Sequence, residues 1–397
     1  MTAVLAPKTA LVWIGGGSST ALYEETCVDF FGIVVNSLED LPGIAACTRV
    51  YLAGDVETVI VAALALVPRD SVFCVDGVST NTPTDWSAFV SPGMLPRLVP
   101  GIGVFYPCYF NARRDFFREF SAHHVASTLT ESNKVSSVSY RKGVYITSVL
   151  PTEDGAGSRF RLLRCSTNFS SPTENCRTMD DDIIHSVNDL ACACYDGGAE
   201  LNHVLAQVYT NSTVSGKDKK ARIPDHSDKT KDMPRNALMA FVTFYDFDPE
   251  AKYNTRGYDV LYHDTSVLTT LMWKEKGGDR RRVSITLYPG SVLFVNMDTN
   301  RLWTHEIRPS SLPVDKLPTR LGYVVRCSKT VAVHTADGDT CIEAATGELV
   351  PLRKPTHEDM SELKAQYARE NATAEWITYG DIVPYSMNTG DYMRPLA

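Results

Sequence analysis

The chain has 397 residues, with 39 basic and 47 acidic side chains and a formal charge of −8; a globular chain of this length buries roughly 75% of its unfolded surface, enough for one large domain or two ordinary ones. Its 44% hydrophobic, 22% charged and 10% aromatic residues match an ordinary globular protein and exclude collagen, coiled coil and whole-chain disorder. The longest apolar run, residues 59–67, is about half the ~20 residues of a membrane-spanning helix and is closed by Pro68-Arg69-Asp70, so it reads as core and no membrane partner is expected.

Residues 1–130 read as an α/β region of unknown role, with apolar runs at 10–14, 32–35, 49–53 and 71–75 separated by helix-like pieces. The opening residues lack a basic stretch followed by an apolar one, so an intracellular protein of nucleus or cytoplasm is expected. Gly15-Gly16-Gly17-Ser18-Ser19 follows an apolar run but has no Gly-Lys-Ser/Thr ending, and reads as a plain turn. Between Asn111 and Val125, Phe116, Phe117 and Phe120 fall at helical spacing and predict an amphipathic helix. A second helix is predicted from about Asp180 to Tyr195, with acids at its start and Gly197-Gly198 at its end. Segments 204–209, 238–244, 283–287, 291–295 and 321–327 are short and β-rich, the texture of a sandwich or jelly roll. Residues 217–220 and 277–282 read as exposed charged loops, and residues 341–397 as a helical extension that begins its helix at Thr356. Ten cysteines without a CxxC pair argue for reduced thiols, and sequons at Asn168, Asn211 and Asn371 read as chance matches.

One constellation carries chemistry: His226-Ser227-Asp228, then His305, then Arg320 and Arg326. Two histidines and one carboxylate leave one side of a metal ion open to a co-substrate and O2. In a strand, positions i and i+2 project to one side, so His226 and Asp228 can grip one ion. A second HxD copy, His357-Glu358-Asp359, follows Thr356 as an ordinary capping box. His263, with Arg280 seventeen positions later, is a rival third ligand, but Arg280 falls in a charged turn while Arg320 sits in an apolar strand where a charge needs a partner.

These residues resemble AlkB-type dioxygenases. The stretch Asn300-Arg301-Leu302-Trp303-Thr304-His305 is similar to the family's distal iron-ligand segment, His226 to Lys229 to its proximal motif, and Arg320 to Arg326 keeps its two arginines six apart. The resemblance covers roughly residues 206–327 and implies a double-stranded β-helix (jelly roll), spanning about residues 131–340, in an α+β chain with flanking helices and an N-terminal α/β extension. It implies Fe(II) held by His226, Asp228 and His305, and 2-oxoglutarate held by Arg320, with Arg326, Tyr209 and Gln207 completing the pocket. Gln207 stands where the family has Asn, and the 79 positions from His226 to His305 imply an insertion between 246 and 282. The spacing of 15 from His305 to Arg320, with Pro318-Thr319 before it, is also similar to the TET/JBP branch.

The substrate expectation is a methylated nucleobase in DNA or RNA, hydroxylated on its methyl carbon. Lys217, Lys219, Lys220, Arg222, Lys229 and Lys231 surround the metal motif and would meet phosphates, with Lys219, Lys220, Lys231 and Asp232 as substrate contacts. Phe169, in a segment rich in arginine, would stack on a flipped base. The alternative is a hydroxylase of a protein side chain or small molecule on the same iron core, for which the acidic overall charge speaks.

Overall fold

The computed structural model describes residues 1–15, 23, 26–110, 114–128, 140–163, 170–246, 268–277, 281–380 and 382–397. Phe169, His263, Arg280 and the turn at 16–19 lie outside the described residues, as does most of the expected insertion.

The chain is a mixed α+β protein of several sheets. Near its start a five-stranded parallel sheet runs in the order Ile33–Val35, Thr9–Ile14, Arg49–Asp55, Val72–Thr80, Phe89–Val90. Its central strands are apolar at successive positions because both faces are covered. Ala10, Val12, Val50 and Leu52 pack toward Val59, Ile60 and Ala63 of the helix Glu57–Leu66, and Leu11, Trp13, Tyr51 and Ala53 form a second core on the other face. Strands Thr9–Ile14 and Arg49–Asp55 pass so closely at Gly54 (φ +82°) that a Cβ there would lie 1.9 Å from the Ile14 carbonyl oxygen, a place only glycine can fill.

Residues 97–106, expected with the N-terminal region, instead join a nine-stranded sheet. Its centre runs Arg141–Thr147, His203–Tyr209, Arg320–Arg326, Leu238–Tyr245, Val292–Asn296, Gly103–Tyr106, Arg97–Val99, with antiparallel neighbours throughout. Helix Thr178–Cys194 and helix Phe116–His123 bring Ile183, Val187, Leu190, Phe116, Phe117 and Phe120 into the same large core as Val144, Ile146, Val204, Tyr323 and Phe294. A four-stranded antiparallel sheet runs Ile223–His226, Trp303–Arg308, Thr270–Glu275, Arg282–Thr286.

The 217–220 segment, expected as a loop, is largely strand: Lys217–Lys219 pairs with Ser212–Val214 around a Ser215-Gly216 turn whose residues both have positive φ, and the hairpin is exposed. The expected helical extension begins with more strand. Thr340–Glu343 and Leu349–Pro351 complete a five-stranded sheet with Thr330–His334, Ser158–Leu162 and Leu150–Pro151. Helix His357–Ala372 then starts at Thr356, whose hydroxyl accepts from the Asp359 amide at 3.2 Å while the Asp359 carboxylate accepts from the Thr356 amide at 2.6 Å. The second HxD copy is therefore a capping box, its acid spent on the helix end. Among the described residues, the nine cysteines are free thiols and no helix is long and apolar enough to cross a membrane.

Candidate metal centre

His226 closes the Ile223–His226 strand and stands directly opposite His305 on Trp303–Arg308, which brings their rings to 4.4 Å between centroids. The strand stops at His226, so Asp228 does not reach the cluster by strand alternation. It lies beyond the strand end, where its backbone is fixed by Asn300: the Asp228 amide donates to Asn300 Oδ1 at 2.8 Å and Asn300 Nδ2 donates to the Asp228 carbonyl at 3.0 Å. One donor atom from each of His226, Asp228 and His305 then falls within 4.8 Å of the others. Among the described residues this is the one such group of three.

The protonation states suit a metal. Nδ1 of His226 donates to the Pro224 carbonyl oxygen at 2.9 Å, which leaves the Nε2 lone pair facing Asp228, 3.8 Å away. Burial pushes both imidazoles toward neutrality, His226 below its ordinary value and His305 down to about 3, with His226 beside it adding to the effect. Burial is the largest influence on Asp228 and opposes its ionisation, but the basic groups around it, Arg326 first and then His305, His226 and Lys229, together outweigh it and hold the carboxyl below its usual range. Nη2 of Arg326 donates to both Asp228 oxygens at 3.0 Å. Two neutral imidazoles and one carboxylate on one side of a cavity are the donor set of a facially ligated Fe(II) with open positions.

The same cavity, about 600 Å³, extends from this cluster to Arg320. Along Arg320–Arg326 alternate residues Arg320, Gly322, Val324 and Arg326 line it, and across the ladder so do Leu205, Gln207 and Tyr209. Arg320 is 4% exposed, and its Nε and Nη2 have no hydrogen-bond partner among the described residues. Its guanidinium lies 3.7 Å from the Tyr209 ring centroid, and the Tyr209 hydroxyl donates to Gln207 Oε1 at 3.0 Å. A buried, unpaired guanidinium is costly unless an anion completes it, and its planar fork suits a carboxylate. Gly322 leaves the room: a Cβ there would stand 3.0 Å from Arg320 Nη1 and 3.1 Å from Tyr209 Cε2. The residues present thus fit both a metal ion and a small carboxylate co-substrate.

The other expected substrate contacts are placed differently. Lys219 is exposed on the hairpin. Lys220 turns inward, its ammonium donating to the carbonyls of Ser310 and Leu312. Lys231 and Asp232, expected on the substrate rim, are buried against each other at 2.9 Å, with Asp232 also accepting from Thr330 at 2.8 Å, and neither lines the cavity. A charge pair this deep is a structural contact, since desolvation leaves it viable only when closely paired. Sequence reasoning missed Asn300 as a support for Asp228 and missed Lys364, Tyr367 and Asn371 of the His357–Ala372 helix, which also line the cavity. No local signal marks them, because each owes its place to a contact distant in sequence.

No family model and no curated protein matches the chain. Among solved structures, the chain is similar to a prolyl-4-hydroxylase of Pseudomonas putida, at 11% identity and a TM-score of 0.27 over 53% of this chain and 80% of that one. It is also similar to OsALKBH1, at 11% identity and a TM-score of 0.32 over 58% of this chain and 99% of that one.

Proposed function

We propose that the chain is an Fe(II)- and 2-oxoglutarate-dependent dioxygenase whose two facing sheets form a double-stranded β-helix, or jelly roll. The observation that carries this reading is that one cavity holds both the His226, Asp228, His305 cluster and a buried Arg320 guanidinium without a counter-ion among the described residues. When bound, the metal supplies the centre at which O2 and 2-oxoglutarate react to give succinate, CO2 and a hydroxylated substrate. His226, Asp228 and His305 hold the ion, and Arg320, stacked on Tyr209, takes the distal carboxylate of 2-oxoglutarate. Gln207 orients Tyr209, Arg326 keeps Asp228 ionised, and the apolar wall of Leu205, Phe241, Leu271 and Ile307 excludes water.

The substrate in this reading is a methylated nucleobase of DNA or RNA, hydroxylated on its methyl group; a methyl on nitrogen is then lost as formaldehyde. Exposed Lys217, Lys219 and Arg222, on the approach to His226, support it. A hydroxylase of a protein side chain or small molecule is the second reading, and the internal pairing of Lys220 and Lys231 favours it by thinning the basic rim. The test is succinate release from 2-oxoglutarate with Fe(II), run in parallel on methylated DNA, methylated RNA and peptide pools, with His226→Ala as control. Turnover with a nucleic acid supports the first reading, turnover with peptides or metabolites the second, and wild-type turnover no higher than His226→Ala removes both.

A further inference from the structure

The loop that carries Asp228 is tied on its far side to the His357–Ala372 helix. Asn371 Oδ1 accepts twice, from the Ser227 amide at 2.8 Å and from the Lys229 ammonium at 2.9 Å. Lys229 also donates to the Tyr367 carbonyl at 3.3 Å, and the Thr230 amide donates to Glu370 Oε1 at 3.2 Å. Residues 227, 229 and 230, on either side of Asp228, are thus all bonded to one helix.

That helix end is anchored in turn. The last carbonyls of a helix have no partner within it, and here Lys276 takes one of them, donating to Glu370 O at 2.5 Å, and also donates to the carbonyl of Thr373, the residue that caps the helix, at 3.2 Å. Lys276 donates as well to Asn300 O at 3.4 Å, and Asn300 is the residue that grips the Asp228 backbone. Helix, Lys276, Asn300 and the ligand loop therefore close a ring of hydrogen bonds around Asp228.

Resting on the metal reading above, we propose that this helix is a strut of the metal centre and that Asn371 is a positioning residue, fixing where the Asp228 carboxylate sits by holding the backbone beside it. It is not one of the three candidate ligands. It acts through Ser227 and Lys229. Outer partners of metal ligands are worth on the order of 10- to 100-fold in metal affinity.

The test is Co(II) affinity by calorimetry, with the Co(II) absorption spectrum and the apo melting temperature alongside, for wild type, Asn371→Ala, Asn371→Asp and His226→Ala. Alanine is the better helix former, so Asn371→Ala should stay folded with its helix intact, its apo melting temperature lowered by the loss of an acceptor for Ser227 and Lys229, while Co(II) affinity falls about 10- to 100-fold and the spectrum shifts. Asn371→Asp keeps both acceptor bonds and should bind Co(II) as wild type does. If Asn371→Ala binds as tightly as wild type, or Asn371→Asp loses as much as Asn371→Ala, the positioning role is overturned while the metal reading stands. If wild type binds Co(II) no better than His226→Ala, the metal reading fails and takes the strut with it.

Discussion

The guanidinium of Arg320 faces the ring of Tyr209 at 3.7 Å, so this buried cation of the cavity, unlike Arg326, rests on an aromatic face and has no carboxylate beside it among the described residues. A cation held in this way keeps its forked donors for a ligand. Arg320→Lys retains the charge and loses the fork, and 2-oxoglutarate affinity should fall about ten- to a hundredfold, or about 1.5 to 3 kcal/mol. Tyr209→Phe keeps the ring and loses only the bond to Gln207, so its effect should be smaller, about 1 kcal/mol. Titration of 2-oxoglutarate into the metal-loaded protein ranks the two, and an equal loss from both would contradict the stacking account.

Gly322 makes the same point by volume. Its missing Cβ is the space between Arg320 Nη1 and Tyr209 Cε2, so Gly322→Ala should displace the guanidinium and raise KM for 2-oxoglutarate at a cost of about 1 to 3 kcal/mol. Co(II) affinity should not change. A loss of metal binding instead would mean that the strand itself had shifted.

His226→Ala should abolish metal binding and turnover. His357→Ala should leave both intact, because His357 opens a helix whose capping acid, Asp359, is bonded to the Thr356 backbone and to Arg353. Metal content per chain, measured after dialysis, separates the two histidines.

A pH dependence comes from a different place. Buried His124 bridges Glu174 and Asp180 at 2.8 Å each, and the Tyr323 hydroxyl donates to the other oxygen of Asp180 at 2.6 Å. Burial opposes the imidazolium, but hydrogen bonds to Asp180 and Glu174 outweigh it and raise the histidine from 6.5 to about 9. A raised value means that the folded state holds the proton more tightly. The contribution, on the order of 3 kcal/mol, is fully present below about pH 6.5 and is lost as pH rises through about 9. The urea midpoint of wild type should therefore drop between pH 7 and 10, and that of His124→Gln should be lower and flatter over the same range.

The two hairpin lysines should separate by their effects. Lys219→Ala should lower the salt slope of nucleic-acid affinity by roughly one unit per lost phosphate contact, without altering stability. Lys220→Ala should free the carbonyls of Ser310 and Leu312, and so lower stability by about 1 to 3 kcal/mol. A Lys219→Ala protein with an unchanged slope argues for the peptide or metabolite substrate.

Four strands of the large sheet, at His203–Tyr209, Leu238–Tyr245, Val292–Asn296 and Arg320–Arg326, are readable in the sequence because a strand buried on both faces is a short, β-rich apolar run closed by turn residues, and Leu238–Tyr245 is buried at every position. The apolar face of Phe116, Phe117 and Phe120 is legible from its helical spacing. Lys231 and Asp232 mislead because a buried ion pair has the composition of a rim. Thr340–Glu343 escapes notice as a short strand of mixed character, recognisable only beside its partner Thr330–His334. Asn371 carries no pattern at all, since its partners are two groups 144 and 142 residues earlier.

That separation also sets a clock. During synthesis at roughly 5 to 20 residues per second, the 144 residues between Ser227 and Asn371 take about 7 to 30 s to emerge. For that interval Ser227, Lys229 and Thr230 exist on a chain without the helix they bond to, and closing so long a loop comes late because its entropy must be met before the contacts form. A metal ion offered to the nascent chain would meet loose ligands, whereas one offered after release would meet a closed ring.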